Sequence, residues 1–242
     1  MEEDDFEVFA EFYDPLYLRM KDYQVESRKV VGVIKEYEEK ETETLLDVGC
    51  GTGEHIKYLS SSFHCTGMDI NRRMIEEAKE KVASAQFKVA NMVDFSLKDR
   101  FDVIISLFSS IGYVQTFQNL VKTLHNFRKH LNRKGLVIVE PWVFLEDFKE
   151  GHISVDTYED EDVKFVRMAR SEIAESRWLI FMHYLIGKDG EIRYSREVHE
   201  MLAVNCRDYF EAFEQAGFKD VKYLNENFWD SCRGLFVAVR PR

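Results

Sequence analysis

The segment Leu45-Leu46-Asp47-Val48-Gly49-Cys50-Gly51-Thr52-Gly53 runs from a hydrophobic strand straight into a glycine-rich turn and then a helix. Glycines at such a turn let the backbone approach a ligand, and the start of a helix offers unpaired N–H groups to a negative group. The spacing GxGxG is one residue shorter than the GxGxxG that a dinucleotide pyrophosphate usually requires, which argues against a nicotinamide-dependent oxidoreductase. The next strand ends in an acid, Asp69, followed by Ile70 and Asn71. An acid there can accept both hydroxyls of a ribose. Just past the third strand stand Asn91 and Met92, a polar side chain able to read an adenine edge and an apolar one able to cover its face. All three signals fall at the carboxyl ends of consecutive strands, where ligands bind in open α/β sheets.

The elements that must hold these residues alternate from Thr44 onward. Strands are expected at Leu45 to Val48, Cys65 to Ile70, Phe87 to Ala90, Phe101 to Leu107 and Leu136 to Glu140, with helices after Gly53, over Arg72 to Ala83 and over Gln118 to Leu131. That rhythm implies a parallel sheet with helices on both faces. Residues 6 to 37 read as helical, with apolar Phe6, Phe9, Phe12 and Tyr13, a break at Pro15, then Val30, Val31, Val33 and Ile34. After Pro141 apolar and polar residues come close to alternating, and Lys188-Asp189-Gly190 reads as a hairpin turn. Residues 153 to 204 are therefore expected to form an antiparallel meander inserted in the fold. A helix over Arg207 to Ala216 and strands at Val221 to Leu224 and Leu235 to Val239 complete the chain.

The expected organisation is N-terminal helices over residues 1–41, an α/β core over 42–140 and 205–242, and a β insertion over 141–204. A 242-residue chain buries roughly 70–75% of its extended surface and needs no disulfide or metal staple. Its 33 Lys plus Arg against 44 Asp plus Glu give a net charge of −11, a field that repels polyphosphate and anionic membranes, so nucleic acid is not an expected partner. Cys50, Cys65, Cys206 and Cys232 lack any CxxC spacing, which removes a zinc site and a disulfide framework and suits a reducing compartment. The acidic start Met1-Glu2-Glu3-Asp4-Asp5 is the opposite of a signal peptide, and no apolar run reaches membrane-spanning length. A cytoplasmic protein is expected, with no membrane partner and no metal.

The DVGCGTG turn with its downstream acid resembles the S-adenosylmethionine motif of class I methyltransferases. Phe108-Ser109-Ser110-Ile111-Gly112-Tyr113, Val139-Glu140-Pro141-Trp142 and Arg233-Gly234-Leu235-Phe236-Val237 resemble blocks of the nucleotide-linked aminodeoxysugar N,N-dimethyltransferases, a likeness that runs from about Tyr13 to the last strand. It implies a Rossmann-like seven-stranded sheet, S-adenosyl-L-methionine as cofactor with S-adenosyl-L-homocysteine as product, and methylation of the amine of a sugar nucleotide. By position it puts cofactor contacts on Tyr13, Tyr23, Gly49, Gly51, Asp69, Ile70, Asn91, Met92 and Leu107. Tyr23 would face the methionine carboxylate. Tyr113 would lie beside the methyl-accepting nitrogen, with Trp142 and Arg233 near the sugar nucleotide.

Three positions depart from that pattern. Sequence around Asp5-Phe6 replaces a substrate-touching tyrosine, Asn91 stands where the family usually has Asp, and Asn227 to Cys232 replaces a glycine-rich stretch. His183 and His199 match family positions in the insertion, and His183 is carried forward with Tyr113 as a catalytic candidate. His125 and His130 are expected on a solvated helix face. Two further readings stay open: methylation of another small amine, acid or hydroxyl, and a protein that binds the cofactor without turnover. Exposed strands of the insertion also suit pairing of two copies.

Overall fold

The structure, a computed structural model, describes residues 7–225 and 234–241. Phe6, the Asn227 to Cys232 stretch and Arg233 lie outside the described residues. Two helices come first, α1 (Glu7–Met20) and α2 (Tyr23–Tyr37). The break expected at Pro15 falls instead after Met20: Pro15 removes one ladder N–H yet sits inside α1, whereas Asp22 accepts the Val25 N–H at 2.9 Å and starts a new helix.

The core alternates as expected through β1 (Thr44–Val48), α3 (Glu54–Leu59), β2 (His64–Asp69), α4 (Arg72–Lys81), β3 (Gln86–Val89), β4 (Phe101–Ser106), α5 (Phe117–His130) and β5 (Leu131–Val139). The insertion holds β6 (Ile153–Glu159), β7 (Val163–Ala174), β8 (Arg177–Lys188) and β9 (Glu191–Leu202), and α6 (Cys206–Gln215), β10 (Lys219–Leu224) and β11 (Leu235–Val239) return to the core. The first sheet has seven strands in the order β10-β11-β5-β4-β1-β2-β3. Its strands β1 to β5 are parallel, while β11 lies antiparallel between β5 and β10. The order reverses between β1 and β4, which opens a crevice above their carboxyl ends.

Both faces of this sheet are covered. On β4, Val103 and Ile105 join a cluster with Val30 and Ile34 of α2 and Ile56 of α3, whereas Ile104 joins Phe127, Phe213 and Phe236 on the other side. Buried strands of that kind read as continuous apolar runs, which is why alternation with helices, rather than period-2 patterning, betrays them. Asp102 is buried in this core and accepts from the Thr44 N–H and hydroxyl, the Glu43 N–H and Asn132, with Lys40 paired to it. Those bonds hold its carboxyl well below the ordinary range against the opposing effect of burial and tie β1 to β4.

The four strands of the insertion form a second, antiparallel sheet in sequence order. Asp189 and Gly190, at φ +54° and +78°, make the tight hairpin turn between β8 and β9. One face of the sheet covers the crevice side: Ile180, Met182, Tyr184, Glu197, His199 and Met201 point there and are mostly buried. His130, expected to be solvated, is buried instead. Its Nδ1 lies 2.9 Å from the Asn126 carbonyl, Nε2 accepts the Leu97 N–H at 3.1 Å, and burial lowers its pKa.

Candidate cofactor and acceptor site

At the carboxyl end of β1 the chain turns through Gly49, Gly51 and Gly53 at φ +78°, +53° and +79°. Gly49 and Cys50 donate to the Met68 carbonyl at 2.8 and 3.0 Å, which anchors the turn to β2. Asp69 closes it from the other side, one carboxylate oxygen accepting the Gly51 N–H and the other the Asn71 N–H, both at 2.9 Å. Burial raises the Asp69 pKa and these backbone bonds oppose the rise.

A cavity of about 510 Å³ opens above this turn, well within the range of small-molecule sites. One end is lined by Gly51, Asp69, Ile70, Asn91 and Met92, the other by Tyr113, Trp142, Ile180, Met182 and Met201. Tyr13 and Tyr17 of α1 also line the cavity, both in edge contact with the Phe108 ring. Asn91 Oδ1 accepts the Val93 N–H at 2.9 Å, so a self-made turn holds the side chain at the rim. Behind Gly49 lies a small polar recess bordered by Tyr23, Asp47, His55 and Leu107.

Buried polar atoms of that recess without a hydrogen-bond partner of normal geometry within the chain are Asp47 Oδ2, Glu54 Oε2 and the Tyr23 hydroxyl, the last of which also interacts with the Tyr13 phenol. Burial and the charge of Asp69 push the Asp47 carboxyl up to about 8. An unsatisfied carboxyl and phenol in an enclosed recess suit a ligand that carries both an ammonium and a carboxylate. Among the described residues no group of three His, Cys, Asp or Glu is placed to hold a metal ion.

The Tyr113 end of the cavity is built on strained backbone. Phe108 and Ser109 have φ of +50° and +60°. The Phe108 N–H donates to Glu140 Oε2 at 2.6 Å, and the Ser109 hydroxyl donates to the Pro141 carbonyl at 2.7 Å, so both residues are held against the segment that follows β5. The short 3-10 turn Ser110–Val114 that follows carries Tyr113 into the cavity. There its hydroxyl lies 2.7 Å from His199 Nδ1.

The family model for a methyltransferase domain matches residues 45–135. The dTDP-3-amino-3,4,6-trideoxy-alpha-D-glucopyranose N,N-dimethyltransferase of Streptomyces venezuelae is 33% identical over 95% of this chain and 97% of its own length. This chain belongs to that methyltransferase family. The solved structure of the sugar N-methyltransferase KedS8 from Streptoalloteichus superposes on this methyltransferase with a TM-score of 0.87, at 31% identity over 98% of this chain and 94% of that one. The S-adenosylmethionine-bound amino pentose methyltransferase CalS10 from Micromonospora echinaspora gives 0.84 at 27% identity, with 99% of each chain covered. The protein is thus an S-adenosylmethionine-dependent methyltransferase, as its glycine turn implies, and the polar recess and the Asp69 end of the cavity fit that cofactor chemically.

Of the residues singled out in the sequence, Gly49, Gly51, Asp69, Ile70, Asn91, Met92, Tyr13, Tyr113 and Trp142 meet on the one cavity, and Tyr23 and Leu107 border the recess behind it. Arg233 lies outside the described residues. His183 does not join them: it occupies the outer face of the insertion, half-buried, with Nδ1 2.7 Å from the Tyr194 hydroxyl. The physical reason is the period of two along β8, which sends Ile180, Met182 and Tyr184 inward and His183 outward opposite Arg196. His199, three residues from the end of β9, has the inward parity that His183 lacks. Tyr17 and Asp47 were also missed. Asp47 sits inside the glycine motif itself, but only the fold shows its carboxyl turned toward the recess.

Proposed function

We propose that this methyltransferase acts on the amine of a nucleotide-linked amino sugar. The observation that carries the reading is the cavity's division: a polar, glycine-lined end beside Asp69 continues into a largely apolar end at Tyr113 and Trp142, roofed by the insertion. Relatives named for dTDP-linked amino sugars at full-length coverage support it. In this reading the N-terminal helices (residues 1–41) cover the cofactor, the core (42–140 and 205–242) holds it, and the insertion (141–204) covers the acceptor. Asp69 takes the ribose hydroxyls, Asn91 and Met92 the adenine, and Tyr23 with Asp47 the methionine end. Arg233 would meet the substrate's phosphates as a planar, permanently charged fork.

S-adenosylmethionine, when bound, supplies an electrophilic methyl group on a sulfonium. The chain's own contribution is alignment and exclusion of water. Met182, Met201, Ile180 and Trp142 keep the acceptor end dry, and Tyr113 orients the nitrogen by hydrogen bonding. Burial and the nearby charges of Tyr17, Asp69 and Glu197 raise the Tyr113 phenol pKa, so it stays protonated and does not act as the base. An amine that enters neutral needs none.

Incubating the protein with methyl-labelled cofactor and a panel of sugar nucleotides tests the reading. Label on an amino sugar is expected. Label on another acid or hydroxyl, or tight cofactor binding with no transfer to any compound, would overturn it.

A cytoplasmic setting agrees with the free thiols of Cys50, Cys65 and Cys206; no helix among the described residues is long and apolar enough to cross a membrane. The outer face of the insertion exposes Ile153, Val155, Leu185, Ile192 and Tyr194, Ile192 at 79%. An exposed sheet face of this kind, its apolar side chains interspersed with Arg170, His183 and Arg196, suits a second copy of the chain. Analytical sedimentation should read a dimer, and a monomer at tens of micromolar would count against it.

A further inference from the structure

The side of Tyr113 turned away from the cavity carries a buried chain of polar groups. His199, 0% exposed, meets the Tyr113 hydroxyl through Nδ1 at 2.7 Å and Glu197 Oε2 through Nε2 at 3.4 Å. That same Oε2 accepts the Tyr184 O–H at 2.9 Å. Glu197 and His199 are two apart on β9 and so share the inner face.

These contacts decide which ring nitrogen holds the proton. Burial lowers the His199 pKa; Glu197 opposes that and Arg167 adds to it, so the imidazole is neutral and carries one N–H. Glu197 Oε2 is already an acceptor, which places the N–H on Nε2 and leaves Nδ1 bare. A bare Nδ1 at 2.7 Å can only accept, so the Tyr113 O–H donates to it. The phenol proton is then directed away from the cavity, and the oxygen's lone pairs are what the hydroxyl presents to an acceptor.

We propose that His199, backed by Glu197, is a positioning residue that holds the Tyr113 hydroxyl as a hydrogen-bond acceptor for the N–H of the incoming amine. The proposal rests on the amine reading above. An amine attacks a methyl carbon with its lone pair, so its N–H bonds must point elsewhere. An oxygen that accepts one of them turns the lone pair toward the cofactor. A tyrosine free to donate would instead compete for that lone pair and quench the nucleophile.

Two measurements test this on the full chain. Nitrogen NMR of the imidazoles, with His199 assigned by its loss in His199→Phe, should show a protonated Nε2 and a bare Nδ1 whose resonance shifts in Tyr113→Phe. A protonated Nδ1 would overturn the proposal without reference to any substrate. Steady-state kinetics with dTDP-3-amino-3,4,6-trideoxyglucose as probe form the second arm. His199→Phe should lower kcat roughly tenfold or more with the KM for cofactor unchanged, and His199→Asn, whose amide oxygen can accept the phenol proton at the Nδ1 position, should recover part of the loss. The double variant Tyr113→Phe/His199→Phe should be no slower than the worse single variant, because both remove one interaction. Multiplied losses, or a cofactor KM that rises with the kcat loss, would show His199 acting only as core packing. Should wild type transfer no label to any amino sugar while the NMR shows a bare Nδ1, the amine reading fails and the orientation of Tyr113 stands.

Discussion

Replacing Asp69 with alanine is expected to weaken cofactor binding by about 100-fold while leaving the protein folded. The proposed ribose contact consists of two hydroxyl donors on one carboxylate. Hydrogen bonds to charged groups contribute about 1.5 kcal/mol or more each, and two of them amount to a factor near one hundred. The carboxylate also holds the Gly51 and Asn71 N–H groups at 2.9 Å, so its loss loosens the turn that lines the cavity. Because burial raises the Asp69 pKa, affinity should decline as pH falls toward that raised value, since the protonated acid keeps only one full acceptor. Calorimetry with S-adenosylhomocysteine reads both effects. Unchanged affinity in Asp69→Ala would sink the ribose assignment.

Gly49→Ala should be the most damaging small substitution in the turn. A β-carbon there would lie 2.5 Å from Ser110 Cβ and 2.8 Å from its hydroxyl, distances that real side chains do not occupy. Ser110 cannot easily retreat, because its hydroxyl donates to the Gly49 and Leu107 carbonyls at 3.1 and 2.9 Å and it opens the turn that carries Tyr113. Left-handed strain adds about 1–2 kcal/mol. A combined loss of about 3 kcal/mol would lower the thermal midpoint by about 6–12 °C, and displacement of Tyr113 should cut methyl transfer about 100-fold. Gly51→Ala supplies the contrast. It carries the same kind of strain at φ +53°, yet its β-carbon would meet only the Tyr13 ring at an ordinary 3.9 Å, so about 1 kcal/mol is expected. A Gly49→Ala protein that melts with wild type would show that Ser110 gives way.

Both substitutions act where the sequence was most legible. Glycine at alternate positions after a buried strand has few structural uses besides a close backbone approach, and Asp69 at the next strand end adds an acceptor of the kind a ribose-like diol would use. The elements were legible for the same reason: helical and strand periods are local properties. Element ends were less so. Strand β5 begins at Leu131, directly after His130, whereas the sequence pattern runs the helix through Leu131 and starts the strand only at Leu136. Pro15 looked like a helix break because a proline's missing N–H is visible in the sequence, while the cap that Asp22 makes is visible only once the chain has folded.

The Tyr113 end of the cavity was the hardest part to see. His183 and His199 are equally plausible in a list of residues, and both lie on strands of the same meander. Their fates differ by one step of strand parity relative to a sheet face that only packing against α1 and the core defines. By itself, then, the sequence determined the class I core, the glycine turn and the run of residues from Asp69 to Met92 along the cavity, because those depend on contiguous motifs and local backbone geometry. Tertiary structure alone decided that β11 runs antiparallel beside β5, that Asp47 and Tyr23 face an enclosed recess, and that His199 rather than His183 stands behind Tyr113. Each of those facts joins residues far apart in the chain, and the burial that gives them their chemistry exists only when the sheet and its cover have closed.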